Sequence, residues 1–595
     1  MNKDITSNSL EYHENTKHSE ISIMTSPHYL DWNNRPYPFK IYTDLDSISL
    51  PSDFPLPSMN AILAINKSAF QYKHQDQDKD KSEHDIDNII GTTKTKSFTL
   101  KDLAEILFFS AGITREIKYN DNNIFYMRAA SATGALYPIE VYVVCKDIAP
   151  NLKAGVYHFS PAQFSLTKIR NGDYTALLAS IVSSYDNQVI LNSDLTIILT
   201  SYAWRNAWKY QDRSYRHWFW DSGVIAANLL AIISSMENNT LAKIHLGFID
   251  DKVNQLLALE KDKEATVAII SLNVKPSSSN SNRKVNSITI EKLVDIPSPR
   301  TIPLSKKEQK FPLIWKTYDS SKLFTIEEVK EWIKVGIIQI INNPIPSNKT
   351  IIKRQYLTNE YQQPQPQPQP QPQQQPQPQQ QPQPQSNIQS IGETILKRGS
   401  TRKFSRSCIT FSNLSSILYN STREISMDYK KDKESLIDIY LILNDVKGID
   451  SGGYFYNRLD NSLDLIKDKV SREMSAYLCL GQSLFGDASA VLFLMSDLSK
   501  TNKILGNRGY RAAQFESGVI AGNIYLLAYA HAIGASGSTF YDDAVTEFFS
   551  PHAENKNTMI AVGIGNPAYK SRPGKILPVK FSKEQLLEKT KYITS

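Results

Sequence analysis

Cysteine is scarce: Cys145, Cys408 and Cys479 are the only three in 595 residues. So small and scattered a set excludes a disulfide framework and a thiolate metal site, and reads as three small buried hydrophobes in a reducing compartment. A charge excess of one sign is lacking too. The 67 Lys and Arg against 60 Asp and Glu leave a formal +7, too thin over this length for a phosphate-tracking surface, so nucleic acid is not an expected partner. Long hydrophobic runs are also missing. The most apolar stretches, Val224 to Met236 and Ile524 to Ala535, fall short of the roughly 20 residues that span a bilayer, and no membrane partner is expected. The opening MNKDITSNSLEYHENTKHSE has no apolar centre of a secretory signal, which places the chain in the cytoplasm. His13, His18 and His28 form no ligand pattern with Glu14 and Glu20, so no metal site is expected.

What is present is the balance of a folded protein, 41% hydrophobic and 21% charged, with room for two to four domains at about 100 to 200 residues each. From Gln362 to Gln385 there are only Gln and Pro, nine prolines among fifteen glutamines. Such a tract reads as an extended spacer reaching on the order of 75 Å. A second soft region, Pro276 to Lys284, closes the first globular part. Between the two, Thr325 precedes IEEVKEWIKVGIIQII with Glu328 three residues on, a capping-box spacing that predicts a helix. The expected organisation is a leader over 1–60, a domain over 61–275, a linker with a helix over 276–361, the spacer over 362–385 and a second domain over 386–595.

The two domains repeat each other. RSYRHWFWDSGVIAANLLA from Arg213 answers RGYRAAQFESGVIAGNIYLLA from Arg508, at an offset of 295. Phe248-Ile-Asp-Asp-Lys-Val answers Phe540-Tyr-Asp-Asp-Ala-Val at 292, and Glu140-Val-Tyr-Val-Val-Cys-Lys-Asp answers Asp438-Ile-Tyr-Leu-Ile-Leu-Asn-Asp at 298. Three ordered blocks at near-equal offsets indicate a tandem duplication. Each copy reads as a helix (Leu100 to Phe109; Phe411 to Leu418), a β-branched strand (Ile139 to Cys145; Ile437 to Leu443), a hairpin, a helix, a strand (Leu195 to Thr200; Ala490 to Met495), a long helix and a last strand (Ala265 to Leu272; Thr558 to Gly563). The predicted class is α+β, helices on a small mixed sheet.

The blocks RAASATGALYPIEVYVV, AGVYHFSP, WRNAWKYQDRSYRHWFWDSG, RGSTRKFS and GIGNPAYKSRP resemble the FMN-dependent nitroreductase superfamily. The branch they are most similar to is the SagB-type, or thiazole/oxazole-forming azoline dehydrogenase, proteins. YHENTKHS and HYLDWNNRPYPFKIY resemble the leader of tandem members of that branch. The resemblance implies two tandem nitroreductase-like domains forming an intramolecular pseudo-dimer, with FMN in a groove that draws on both copies.

For the FMN phosphate the resemblance implies Arg398, Ser400 and Arg402 in LKRGSTRKF, with Lys570 and Arg572 in NPAYKSRP; arginine forks supply bidentate, charge-assisted bonds. The plain alternative is a solvated basic surface. The corresponding stretch of the first half, Ile90 to Phe98, has no arginine, and Lys275-Pro276 runs directly into serines. Conversely Ser131, Ala132, Thr133 and Gly134 match the small-residue loop that meets the flavin ring, where the alternative is an ordinary turn. The second half has Tyr429 to Lys433 there, too bulky to lie on a flavin. Lys209-Tyr210 stands where azoline dehydrogenases carry their proton-handling pair, against Ile504 and Leu505 in the second half; the alternative is a surface lysine beside a core tyrosine. Glu516, Ser517 and Gly518 are expected by the ring from the phosphate-bearing half. His217 is expected to be packed or solvent-facing, and Asp221 and Glu516 to belong each to its own repeat.

These losses are complementary and imply one competent FMN site, the other groove being empty or cryptic. The implied activity is that of an FMN-dependent oxidoreductase of the SagB type, in which an azoline ring in a peptide loses two hydrogens with Lys209 as base and Tyr210 as helper. Two alternatives stand beside it: an NAD(P)H-dependent nitroreductase or quinone-type reductase, and a non-catalytic flavin-binding scaffold of a peptide-modifying complex. The implied partner is a small molecule or a peptide.

Overall fold

The computed structural model describes residues 8–70, 98–118, 124–182, 190–191, 193–237, 240–273, 292–340, 351–357, 388–431, 434–576 and 578–594. The spacer Gln362 to Gln385, the soft region Pro276 to Lys284, Lys275, all of Ile90 to Phe98 but its last residue, and the pair Asp432-Lys433 lie outside the described residues.

The β-branched run Ile139–Cys145 is buried along its whole length and sits at the centre of a seven-stranded sheet. The order is Ser47–Ser49, Ser165–Asn171, Gly155–Ser160, Ile139–Cys145, Leu195–Tyr202, Glu264–Asn273, Leu241–His245. The second half repeats it: Lys353–Tyr356, Ser462–Asp468, Gly452–Asn457, Asp438–Leu443, Ala490–Ser496, Asn557–Gly565, Gly534–Ser538. Each sheet is larger than expected and is antiparallel at every neighbouring pair rather than mixed. The cause lies in the connections: hairpins and returning helices reverse the chain at each step, and the outer strand of each sheet is lent by the leader or the linker.

Two long helices, Ser214–Ser235 and Leu498–Ala530, carry the repeated SGVIAxN motif and pack against each other between the sheets. A Cβ on Gly223 would stand 2.6 Å from backbone atoms of Gly518, and one on Gly518 would stand 2.7 Å from the Trp220 carbonyl oxygen. Only glycine lets the two backbones approach so closely, which accounts for the motif recurring in both copies. The halves therefore close face to face, as the family resemblance implies.

The R-x-Y-R motifs lock that closure. Arg213 and Arg216 of the first half bind the Asp542 carboxylate of the second at 2.9 and 2.7 Å. Arg508 and Arg511 of the second bind Asp250 of the first, both at 2.6 Å. All six groups are buried. The leader helix Asn8–Asn15 wedges beside this lock, where Arg216 donates to the His13 carbonyl at 2.9 Å and Ser9 accepts a hydrogen bond from Asn502 at 2.7 Å. At the other end the C-terminal segment crosses to the first half: the Phe581 N–H donates to the Ala162 carbonyl, and Val579 and Phe581 pack with Phe39 and Ile113.

The linker helix forms as its capping box predicts, over Ile326–Gln339. Among the described residues one helical run, Ala203–Ser235, could by length and composition cross a membrane; its apolar window is 94% buried inside the protein.

Candidate functional site

A cavity of about 1570 Å³ opens between the halves, above the roughly 300 to 1,000 Å³ of an ordinary ligand cleft. Its first-half wall is the segment Ser131–Ala135. Gly134 has φ +63° and Ala135 φ +53°, a left-handed turn that glycine permits at the first position. A Cβ on Gly134 would stand 2.8 Å from the Tyr210 hydroxyl, so the missing side chain is what lets Tyr210 lie on the loop. Asp221 fastens the loop from beneath, accepting bonds from the Thr133 N–H at 2.9 Å and the Thr133 hydroxyl at 2.8 Å. Burial pushes the Asp221 carboxyl up to about 7, against the lowering by those two donors.

Lys209 and Tyr210 end the helix Ala203–Tyr210. The chain then breaks at Gln211, whose φ of +48° lies in the left-handed region, and the long helix restarts at Ser214. The same place in the second half is Gly506, φ +60°, inside a helix that continues. A non-glycine residue in that region stores strain, and the break presents the Lys-Tyr pair to the cavity. Burial first, then the Arg402 and Arg35 cations, push the half-buried Lys209 amine below its ordinary range. Burial and the nearby Asp221 carboxyl push the Tyr210 hydroxyl up.

The second-half wall is basic. Two backbone segments run side by side, Ser405 N–H donating to Asn566 O and Ala568 N–H to Lys403 O, both at 2.9 Å. This pairing brings Ser400 and Arg402 onto the same wall as Lys570 and Arg572. Arg402, Lys570 and Arg572 are exposed, and no salt bridge to any of them is found among the described residues. Arg398 is placed differently. Its guanidinium is buried and donates to the carbonyls of Ala129 at 2.8 Å and Arg128 at 3.0 Å, so it holds the first-half loop while also lining the cavity.

Of the residues singled out from sequence, the cavity thus brings together Lys209, Tyr210, Ser131, Ala132, Thr133, Gly134, Arg398, Ser400, Arg402, Lys570 and Arg572. Glu516, Ser517 and Gly518 are not brought there. Gly518 lies at the crossing of the long helices, Ser517 donates to the Gln514 carbonyl, and Glu516 faces the second groove. The carboxyl that holds the ring-facing turn is Asp221, from the other half. His217 is buried against Tyr210, ring centroids 4.5 Å apart.

Sequence reasoning missed three parts of the wall. Tyr525 accepts the Gly537 N–H at 2.5 Å and faces Ser400 at 3.5 Å, and Tyr529 faces Thr401 at 3.3 Å. The third is the hairpin of Ile113–Lys118 and Ile124–Arg128. Nothing in the repeat points to these residues, because the tyrosines sit on a helix whose apolar pattern reads as core.

The matching second groove is filled. Ser426 and Asp428 pair with Ile244 through backbone bonds of 3.1 and 3.0 Å, and the Asp428 carboxylate accepts the N–H groups of Leu246 and Gly247. Tyr429 follows, donating to Glu516 at 3.0 Å. The linker helix seals it: the Trp332 indole donates to the Leu505 carbonyl at 3.0 Å and its ring lies 5.4 Å from that of Tyr429.

The open cavity has the donor set an FMN needs. Unpaired cations stand on one wall, suited to a phosphate. A backbone turn with minimal side chains stands on the other, suited to a planar ring.

No protein-family model matches the chain. A protein of Methanocaldococcus jannaschii named as a nitroreductase is 30% identical over 161 residues, covering 26% of this chain and 81% of that one. A crystal structure from Anabaena variabilis, of a protein likewise named as a nitroreductase, superposes with a TM-score of 0.66 at 23% identity, over 94% of this chain and 99% of that one; this likeness shows the fold. By the first relationship, this chain belongs to the nitroreductase family.

Proposed function

We propose that the chain is an FMN-dependent oxidoreductase of the SagB type that oxidises an azoline ring carried by a peptide, working in the cytoplasm. The observation that carries the reading is the convergence of Lys209, Tyr210 and the 131–134 turn from one half with Arg402, Lys570 and Arg572 from the other on a single cavity. Arg402, Lys570, Arg572 and Ser400 would hold the phosphate, and Ser131 to Gly134 would lie along the ring. FMN, when bound, supplies the hydride acceptor.

The chain's own residues do the rest. Lys209 takes the companion proton at Nζ; its lowered affinity for protons leaves more of the neutral amine available near neutral pH than an ordinary lysine offers. Tyr210 keeps its proton, since its hydroxyl is pushed up, and so acts as a donor that orients the substrate over the 131–134 turn. Asp221 holds that turn through Thr133.

A second reading, reduction of a nitro or quinone group with a reduced nicotinamide, is favoured by the name of the Methanocaldococcus jannaschii relative. Stopped-flow reduction by NADH and NADPH separates the two. Fast bleaching of bound flavin by either supports the second reading, whereas bleaching by an azoline peptide alone supports the first. A protein that purifies colourless and takes up no FMN overturns both.

A further inference from the structure

The cavity wall is far more basic than the chain. Arg115, Lys118, Arg128, Lys209, Arg398, Arg402, Lys570, Arg572 and Lys575 line it against the carboxyls of Glu116 and Asp221. This region alone carries as large a formal excess as the whole chain, +7. A phosphate on Arg402, Lys570 and Arg572 uses only part of that charge. Left over are Arg115 and Lys118 of the first half and Lys575 of the second, Arg115 lying against the Leu396–Gly399 stretch that leads into the phosphate wall.

The geometry around these three is built. Arg115 donates to the Leu396 carbonyl at 3.0 Å, and the same carbonyl accepts the Gly574 N–H at 2.7 Å. The Lys575 N–H donates to Thr114 O at 2.8 Å. The two halves are thereby clipped together where their cations meet. No salt bridge to Arg115, Lys118 or Lys575 is found among the described residues, and Lys118 and Lys575 are exposed.

The strand that carries Arg115 and Lys118 has a sheet neighbour on one side only, Ile124–Arg128. The Cα atoms of Arg115 and Lys118 lie three strand steps, about 10 Å, apart, and in this regular ladder their side chains leave opposite faces of the strand. One phosphate is too small to meet both, whereas two carboxylates on an extended segment match that span. An extended peptide also has the backbone groups that a free strand edge recruits.

Resting on the flavin reading above, we propose that the substrate is an acidic peptide segment. It docks in extended form along the strand Ile113–Lys118, its carboxylates met by Arg115, Lys118 and Lys575.

The test is calorimetric titration of the full chain with hexaglutamate and with hexaglutamine, read alongside its flavin absorbance. Hexaglutamate is expected to bind, more weakly as salt rises, and hexaglutamine not to bind. The triple variant Arg115→Gln, Lys118→Gln, Lys575→Gln is expected to lose at least tenfold in hexaglutamate affinity at unchanged flavin per chain. Lys118→Gln alone, on an exposed side chain, serves if the triple variant fails to fold, and is expected to weaken binding severalfold. Equal binding of the two peptides, or unchanged affinity in the variants, overturns the proposal. Loss of flavin from the triple variant overturns it by assigning these cations to the cofactor. Weakened NADPH binding with hexaglutamate unaffected overturns it in favour of a dinucleotide phosphate. The titration needs no turnover and can be read on flavin-free protein, so a failure of the flavin reading is seen separately, as colourless protein that still discriminates the peptides.

Discussion

Glu516 accepts a hydrogen bond from the Tyr429 hydroxyl at 3.0 Å, at the place where Asp221, 295 residues earlier, accepts from the N–H and hydroxyl of Thr133. One ancestral acid thus serves two ends. In the first half it fastens an open turn of small residues; in the second it fastens a large aromatic side chain that fills the space a ring would need. A Cβ on Gly336 of the linker helix would overlap the Tyr429 carbonyl, so the helix closes tightly over that tyrosine.

The first prediction is therefore one FMN per chain, not two, read from flavin absorbance against protein concentration. The double variant Arg402→Gln, Arg572→Gln is expected to weaken FMN binding by more than tenfold, since charge-assisted bonds contribute about 1.5 to 3 kcal/mol each. Two flavins per chain, or full occupancy in the double variant, would count against the single-site assignment.

Gly134→Ala probes the other wall. The new methyl meets the Tyr210 hydroxyl at 2.8 Å in a backbone conformation at φ +63°, a strain of about 1 to 3 kcal/mol. The expected outcome is a Tm lowered by several degrees, and turnover lost more severely than flavin, because Tyr210 must move off the turn while the phosphate wall is untouched. Turnover kept at the wild-type level would show that Tyr210 does not need its position.

Much of this was legible before the structure because it was written twice. The offset near 295 revealed the duplication, the family resemblance pointed to the turn, the Lys-Tyr pair and the basic residues, and differences between copies showed which half keeps each. The copies agree at Ser222-Gly223 and Ser517-Gly518 for a reason that sequence comparison mistakes for ligand binding: two helices cross there. Arg398 was legible as a cavity residue but not as the clasp of Ala129 and Arg128, since a guanidinium near a phosphate and one that binds carbonyls look alike in sequence. The pairing of each R-x-Y-R with the other copy's aspartate is invisible for a related cause. A repeat reveals which residues correspond, not whether they pair within a copy or across copies. The strand Lys353–Tyr356 escaped notice because it is exposed at both ends and half-buried between, held at the sheet edge by pairing with Ser462–Asp468 and not by an apolar alternation of its own.

The crossed Arg-Asp pairs predict that the halves stay together without their covalent link. A protease site placed in the Gln362 to Gln385 spacer, once cut, is expected to leave both fragments co-eluting with the flavin retained. Asp250→Asn or Asp542→Asn strands two buried arginines, and loss of one partner of a buried pair costs about 3 to 5 kcal/mol. Either variant is expected to unfold at clearly lower denaturant, and its cut form to separate. Fragments that part while both aspartates are intact would contradict the lock.

Lys209 predicts a pH profile. A lysine acting as base works only when neutral, so the rate rises with pH through its pKa, which lies below the ordinary value because of burial and the cations of Arg402 and Arg35. Arg35 does not line the cavity, and Arg35→Gln removes one lowering influence. The acid limb of kcat is expected to move to higher pH with flavin content unchanged. Lys209→Met is expected to abolish the limb along with at least a hundredfold of turnover. A limb that stays put in both variants would remove Lys209 as the titrating base.

Asp221 predicts a stability profile of opposite slope to an ion-paired carboxylate. Its folded-state value is pushed up to about 7, above the roughly 3.9 of an unfolded aspartate. Below pH 4 both states hold the proton and the group has no effect on stability. Between about pH 4 and 7 the unfolded chain ionises while the native carboxyl does not, so stability falls as pH rises, by as much as about 4 kcal/mol across three pH units. Asp221→Asn removes the titration yet leaves an oxygen for the Thr133 N–H and hydroxyl. Denaturant midpoints of the two proteins should be close at pH 4 and diverge as pH rises, with the asparagine variant the more stable at neutral pH. Curves that run parallel from pH 4 to 8 would mean that the carboxyl under the turn ionises as freely in the native protein as in the unfolded chain. The turn would then be held by a charged acceptor, not a neutral one.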